Sequence, residues 1–526
     1  MAKFIRSNFA LICVLLVAAF FRYWQITALP AGLFPDEAAN GLDVNAILSG
    51  NVQPFYERGN GRESLFFYFL ALSVALFGRG PWQHHIVSAG FGLATVLIAY
   101  LLTKRLFGKN VALVAAFLLA VSSYAVTLSR TAFRANTVPL FAALTLLLLV
   151  IFFQTRKDKT KLWALAGAGT SFALGFYTYI SFRMMVPLLA GIFVILAFGV
   201  RDRLKVELAQ YRKHILVFAA SFVMAFAPLG YYFITHPGTF VGRAGQVSVF
   251  SKDLNQGDIF GTFVDVFKKT MLGFFRDGDL NFRHNVSGFP FLTPVVVSLL
   301  FAAGLLAATL AIFVLIKQSF KKQINPQTVY LSLLAFWFWL MLVPEVTTAE
   351  GIPHGLRLAG VIPVIFILPA WAACRIWTSV KNFPPIAKIR YLIYLVFFGG
   401  ILLYNYQLYF NVAAKSPDYY YAFRSDLTTV SNYLNWRSRR ANTFLSLDKF
   451  SVQTVDYLTT ETNNPYTLLD PARTYEVKLK KGDQVIFTQS TLFDRTKFSQ
   501  FHPDAKPVRT ERNQFGQIIM LVYEQL

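Results

Sequence analysis

The sequence predicts a mainly α, polytopic membrane protein with a small C-terminal α/β domain, and three observations carry that prediction. Of the 526 residues, 55% are hydrophobic and 16% aromatic, and the mean hydropathy is +0.47. That is far more apolar than a soluble globular chain. Apolar runs that approach the roughly 20 residues needed to cross a bilayer lie at about 8–26, 84–103, 110–128, 137–154, 162–180, 184–200, 214–234, 291–316, 328–344, 356–374 and 390–410, so about eleven spans are expected. After 410 the pattern changes: LTTVSNYL is a short amphipathic helix, and TFLSLD, QVIFTQST and GQIIMLVYE are strand-like runs broken by Pro and Gly. The expected domains are therefore 1–410, membrane-embedded, and 411–526, a small α/β unit.

The first run starts MAKFIRSNFALICVLLVAAFFRYW and offers no small-residue cleavage site, so it reads as a retained first span. Cys13 and Cys374 are the two cysteines, both inside apolar runs, which leaves neither a disulfide framework nor a thiolate metal site.

Charge sets the expected topology. Lys plus Arg number 50 against 27 Asp plus Glu, a net +23, but the basic residues are spread over short loops rather than gathered on one domain. The positive-inside rule accounts for that better than nucleic-acid binding does. The run SLFFYFLALSVALFG, 64–78, is too short to cross. If it lies in the interface, the basic clusters at 3–6, 104–109, 156–161, 201–213, 317–322 and 375–390 all fall on one side, the cytoplasmic one. The N-terminus is then cytoplasmic in a multi-pass protein of the cytoplasmic membrane. The segments 27–83, 129–136, the turn at Arg183, 236–290, 344–357 and the C-terminal domain lie outside.

The outer segments carry the chemistry. In GLFPDEAANGLDVNAILSG, 32–50, Pro35 can open a helix that Gly50 stops, so Asp36 and Glu37 sit at its positive end. Dipole complementarity alone accounts for two acids there. It does not account for the cations supplied by other outer segments: Arg58 and Arg62 with Glu63 in ERGNGRES, Arg130 and Arg134 in SRTAFRAN, Arg183, Arg243 and Arg357. Each could snorkel to headgroups; together they suit the phosphate end of a lipid, which forked guanidinium donors hold bidentately. Beside such a site, Asp36 could take a proton from an attacking hydroxyl. Asp43, two helical turns on from Asp36, could support that face. FFRDGDLNFRHN, 274–285, contributes Asp277, Asp279 and His284; the Asp-x-Asp spacing fits either a divalent metal or an Asx-stabilised turn. PHGLR places His354 and Arg357 three residues apart. LGFYTYISFR, 174–183, fits a lipid groove or an ordinary interfacial aromatic belt.

With the PDE motif of the first outer loop, GRESLFFYFLALSVALFG followed by SAGFGLATVLIAYLLTKRLFG, and SRTAFRANTVPLF, the chain resembles GT-C membrane glycosyltransferases. It is nearest to the branch of bacterial protein O-mannosyltransferases and the lipid A aminoarabinose transferase, family 39-like. The resemblance covers about 1–410 in layout and is strongest over the first 190 residues. It implies juxtamembrane helices in 27–83, a polyprenyl-phosphate sugar donor, and transfer with inversion to a protein, lipid or glycan acceptor on the outer face. Asp36 matches the catalytic base and Glu37 its partner. Arg62, with Arg130, Arg134 and Arg357, is expected at the donor phosphate; Asp43, Glu63, Arg183, Arg243, Asp277, Asp279, His284 and His354 are pocket candidates. Relatives often carry an acid near the position of Asn136; its absence points to an enzyme without a cofactor, a divalent metal being open through Asp277 and Asp279. The competing function is a transporter or flippase of lipid-linked sugars. Transporters place charges within spans and show repeated halves, whereas the PDE loop is not repeated.

The topology has a direct test. Cysteines introduced at 156–161 are expected to resist impermeant thiol reagents applied from outside, and labelling there would mean that 64–78 crosses the membrane.

Overall fold

A computed structural model of the chain describes residues 2–59, 61–241, 248–437, 442–462 and 466–526, with backbone alone at 2–7 and 241. It is mainly α-helical. In order the chain forms α1 (Ala2–Tyr23), α2 (Pro35–Leu48), the paired strands β1 (Phe55–Tyr56) and β2 (Arg62–Glu63), α3 (Leu65–Phe77), α4 (Pro81–Phe107), α5 (Lys109–Val121), α6 (Ser123–Arg130), α7 (Val138–Gln154) and α8 (Asp158–Gly175). Long helices then occupy Met185–Gly199, Arg212–Thr235, Val295–Phe320, Pro326–Val346 and Val364–Val380, with Pro384–Ala413 running through two π-helical turns.

Among the described residues, 7 helices are long and apolar enough to cross a membrane, or 8 when the α5–α6 pair, bent by 58°, is taken as one. They account for eight of the expected runs. The other three differ for identifiable reasons. α1 is 22 residues long, but only its Asn8–Tyr23 part has described side chains, so it is not counted among the spans. α8 opens on Asp158, Lys159 and Lys161. The run at 356–374 starts as a 3-10 turn, Arg357–Val361, so its regular helix begins only at Val364. The 64–78 run forms α3, 13 residues long, which is less than a crossing needs.

The chain divides into two compact units, Met1–Trp24 with Gln53–Phe66 and Ile86–Ala413, and Gln25–Val52 with Phe67–His85 and Ala414–Leu526. The division expected at 410 is therefore redrawn, because most of the first outer loop belongs with the C-terminal domain.

In the first unit, small residues let helices approach closely. Cβ atoms at Gly169 and Gly304 would fall 2.4 Å and 2.5 Å from the carbonyl oxygens of Phe218 and Leu368. The bend after Ser122 frees backbone groups inside an apolar interior, and Asn405 answers them. Its Oδ1 accepts from the Ser123 N–H at 2.8 Å and the Thr293 hydroxyl at 2.9 Å, while its Nδ2 donates to the Ile401 carbonyl at 3.0 Å.

The second unit is built on a five-stranded sheet in the order β4–β3–β5–β7–β6, formed by β3 (Thr443–Ser446), β4 (Thr467–Leu469), β5 (Gln484–Thr488), β6 (Ala505–Arg512) and β7 (Ile518–Gln525). β3 runs parallel to β4 and β5, and β7 antiparallel to β5 and β6. Alternation along the strands fills both faces. Ile486, Met520 and Val522 pack with Leu427, Val430 and Val455 on one side; Val485, Phe487, Leu521 and Tyr523 pack with Phe498 on the other. α2 lies against the helix Val452–Leu458. Leu33, Ala38 and Tyr457 form a small buried cluster, Thr454 donates to the Leu33 carbonyl at 3.1 Å, and Asn45 bonds Thr460 at 3.2 Å.

Gly41 is the close point of that packing, since an added Cβ would sit 2.5 Å to 2.7 Å from the Tyr457 ring. Gly41→Ala is expected to cost about 1–3 kcal/mol by overpacking, read as a lower unfolding midpoint of the detergent-solubilised chain. An unchanged midpoint would show that α2 does not rest on this ring.

Candidate active site

The PDE stretch folds as its residues dictate. Pro35 takes the first helical position of α2 and Asp36 and Glu37 occupy its first turn. The two acids then part company. Glu37 is fully buried, and its Oε2 accepts the Phe34 N–H at 2.9 Å, so it reaches back to cap its own helix. Its Oε1 lies 3.4 Å from Nε2 of the equally buried His85. Asp36, one residue earlier, is exposed. The arrangement leaves the Asp36 carboxylate exposed and engages that of Glu37, expected as its catalytic partner, with Phe34 and His85. Asp43 is buried at 4% exposure and does not share the open face of Asp36. Beside them, His84 Nε2 bonds the Tyr457 hydroxyl at 2.7 Å.

The expected arginines sort into different jobs. Arg134 Nε donates to Glu63 Oε2 at 3.0 Å, and its guanidinium lies 5.3 Å from the Tyr179 ring centre. Arg62 is buried and donates to the Arg58 carbonyl at 3.1 Å. β1 and β2 thus bring Arg62 and Glu63 to the start of the helix that follows Arg134. Arg183 stacks on Phe240 at 4.1 Å and bonds its carbonyl. Arg243 lies outside the described residues.

Arg130 corrects an expectation. It is 0% exposed and donates to the carbonyls of Phe21, Arg22 and Trp24 at 3.1, 3.0 and 2.8 Å, with its guanidinium against Tyr409 and Phe410. It caps the C-terminal end of α1, whose last carbonyls have no partner within the helix, and is not offered to a phosphate. Arg357 is similarly engaged, bonding the Glu350 carbonyl at 2.6 Å and facing Glu345 Oε2 at 3.9 Å.

The Asp-x-Asp spacing does not make a paired carboxylate site. Asp277 is largely exposed beside Arg276, whereas Asp279 is buried. Asp279 Oδ1 accepts the Asn281 N–H at 2.8 Å, the Asx-turn alternative. Its Oδ2 accepts the Gly355 N–H at 2.8 Å and lies 2.9 Å from His284 Nδ1. His284 and His354 stack with ring centres 4.4 Å apart, and Glu345 Oε1 accepts the His354 N–H at 2.8 Å. Burial pushes both imidazoles below their ordinary pKa, His354 furthest, where His284 and the Arg357 and Arg283 guanidiniums add to the effect. Both are therefore neutral at pH 7. His85, Glu345 and Tyr457 were not singled out from sequence. The His84–His85 pair at the head of an apolar helix and the acid at the end of another were the available signals.

The structure is that of a multi-pass membrane protein with a small C-terminal sheet domain, and comparison with known proteins finds the same fold elsewhere. Residues 64–232 match the family model described as dolichyl-phosphate-mannose-protein mannosyltransferase. The Bacillus subtilis (strain 168) protein YkcB, named as a candidate mannosyltransferase, is 36% identical over 97 residues, which span 18% of this chain and 13% of YkcB. Among solved structures, ArnT from Cupriavidus metallidurans is similar over almost the whole of both chains. The apo form covers 100% and 99% at 11% identity with a TM-score of 0.55. The form bound to undecaprenyl phosphate covers 99% and 98% at 12% identity with a TM-score of 0.53. The Archaeoglobus fulgidus oligosaccharyltransferase AglB, in complex with an inhibitory peptide and a dolichol-phosphate, has a TM-score of 0.52 at 12% identity and covers 99% of this chain and 75% of that one.

Replacing Arg130 by Ala strands three helix-end carbonyls and is expected to cost roughly 3 kcal/mol or more. Thermal unfolding in detergent measures it; a loss confined to substrate affinity, with the midpoint unchanged, would restore Arg130 to the phosphate site.

Proposed function

We propose that this chain is a membrane glycosyltransferase that moves a sugar from a polyprenyl-phosphate donor to an acceptor hydroxyl on the outer face of the cytoplasmic membrane, with inversion at the anomeric carbon. The observation that carries the residue assignment is the contrast within PDE: an exposed Asp36 at the positive end of α2, steadied by a buried Glu37 that caps the helix and faces His85. The undecaprenyl phosphate in the similar ArnT structure and the dolichol-phosphate in AglB support a lipid-phosphate donor class.

In this reading the acceptor oxygen attacks the anomeric carbon while Asp36 takes its proton. The bond from that carbon to the phosphate oxygen breaks, and the lipid phosphate leaves with the electron pair. The phosphate is already a competent leaving group, so the protein's task is orientation and stabilisation of the departing charge. Arg62 and Arg134 are the proposed cations for that charge. Glu63, bonded to Arg134, fixes the direction of its guanidinium. Arg183 and Arg357, in the same compact unit, are secondary candidates. The sheet domain and the first outer loop are proposed to select the acceptor, whether protein, lipid or glycan.

The purified chain in liposomes, given a polyprenyl-phosphate sugar and a hydroxyl acceptor, tests the assignment. Asp36→Asn is expected to lower transfer by about 10²–10⁴-fold, the usual scale of general-base loss, with donor binding retained. Transfer that survives the substitution would remove Asp36 as the base. Sugar-lipid movement across the bilayer without transfer would replace the enzyme reading with a flippase.

A further inference from the structure

Asp279, His284 and His354 come from two loops far apart in sequence, yet one potential ligand atom from each lies within 4.8 Å of the other two. A hydrogen-bonded Asp–His pair with a second imidazole stacked on it is the plain alternative. One observation favours an ion. Among the described residues, His354 Nδ1 is buried without a hydrogen-bond partner, and so is Oε2 of the fully buried Glu345, whose other oxygen holds the His354 N–H. The unsatisfied imidazole nitrogen is costly and a cation relieves it by coordination, whereas Glu345 Oε2 already faces the Arg357 guanidinium at 3.9 Å.

We propose that Asp279, His284 and His354 bind one divalent transition-metal ion, zinc being the favoured one, and that the ion ties the loop after Gly273 to the loop before Arg357. Two imidazoles with one carboxylate suit zinc and its transition-metal neighbours, whereas magnesium and calcium require all-oxygen shells. The 2.9 Å between Asp279 Oδ2 and His284 Nδ1 is near the ligand–ligand edge, about 3.3 Å, of a tetrahedral site with bonds of about 2.0–2.1 Å. The supports that orient metal ligands are also in position. The Gly355 and Asn281 N–H groups fix both Asp279 oxygens, Glu345 fixes the His354 backbone, and the Tyr124 hydroxyl holds the Gly355 carbonyl at 2.6 Å. Arg357 and Arg283 bring opposing charge, but Arg357 faces Glu345 and Arg283 Nε is bonded to Asn281. His354 is half-buried, which leaves an entry route and a fourth position for water.

The site stands apart from the proposed transfer reaction, so its test reads metal rather than product. Detergent-solubilised full-length protein, stripped with EDTA and dialysed against radioactive zinc, is expected to retain one equivalent that excess magnesium does not displace. Cobalt in its place is expected to give tetrahedral ligand-field bands. His354→Ala is expected to abolish retention, and Glu345→Ala to weaken it about tenfold through loss of the acceptor that holds the His354 N–H, with unfolding midpoints recorded to separate metal loss from misfolding. Wild-type protein that retains no zinc overturns the proposal without any variant. Undiminished retention in a folded His284→Ala/His354→Ala chain overturns it equally.

Discussion

The break in the span at Ser122 is the constraint around which the membrane-embedded unit is arranged. A helix interrupted inside an apolar interior must find partners for the backbone groups it releases. Here one side chain, Asn405, uses its carbonyl oxygen and its amide together to meet Ser123, Thr293 and Ile401. The 58° change of direction then decides what α6 can reach. Tyr124 meets Gly355, Arg130 meets the end of α1, and the chain beyond it delivers Phe133 to the edge of His284 and Arg134 to Glu63. A straight helix through the same residues would send these side chains around its circumference. The π-helical turns on either side of Asn405 set its register, as such turns commonly do near functional positions.

Arginine serves three physical roles in this framework, which distance from the membrane alone would not separate. Arg130 neutralises helix-end carbonyls in a dry interior. Arg134 is aimed by a carboxylate and backed by an aromatic face. Arg357 balances an acid buried at the end of an apolar helix. The guanidinium is suited to each because it stays charged and offers forked donors in one plane. Lysine could supply the charge in these places but not the planar fork that spreads donors over two nitrogens.

How much could be read without coordinates follows from the range of each signal. The helix at PDE was legible because Pro35, the two acids and Gly50 act within a few residues of one another. The long apolar helices and the strand runs near the C-terminus were legible for the same reason, since their periodicity is local. The separation of Glu37 from Asp36 was not, because it depends on His85, brought in by another helix. Arg130 was misread because capping and snorkelling look identical until the carbonyls of Phe21 to Trp24 are seen beside it. The Asp279 cluster was half legible: Asp279, His284 and His354 were singled out separately, but nothing local joins two loops. The domain division was missed because a cluster of Leu33, Ala38 and Tyr457 leaves no mark in composition.

The packing of α2 on Val452–Leu458 has a consequence in time. During synthesis, Gly41 and its neighbours emerge early, and their partner Tyr457 is made only after the whole membrane-embedded stretch. At about 5–20 residues per second that interval is roughly 20–80 s. Throughout it, the segment bearing Asp36 lacks the surface that orders it. The polypeptide therefore inserts its spans before its exposed carboxylate acquires a fixed direction, and maturation of this loop is a late event tied to translation of Val452–Leu458.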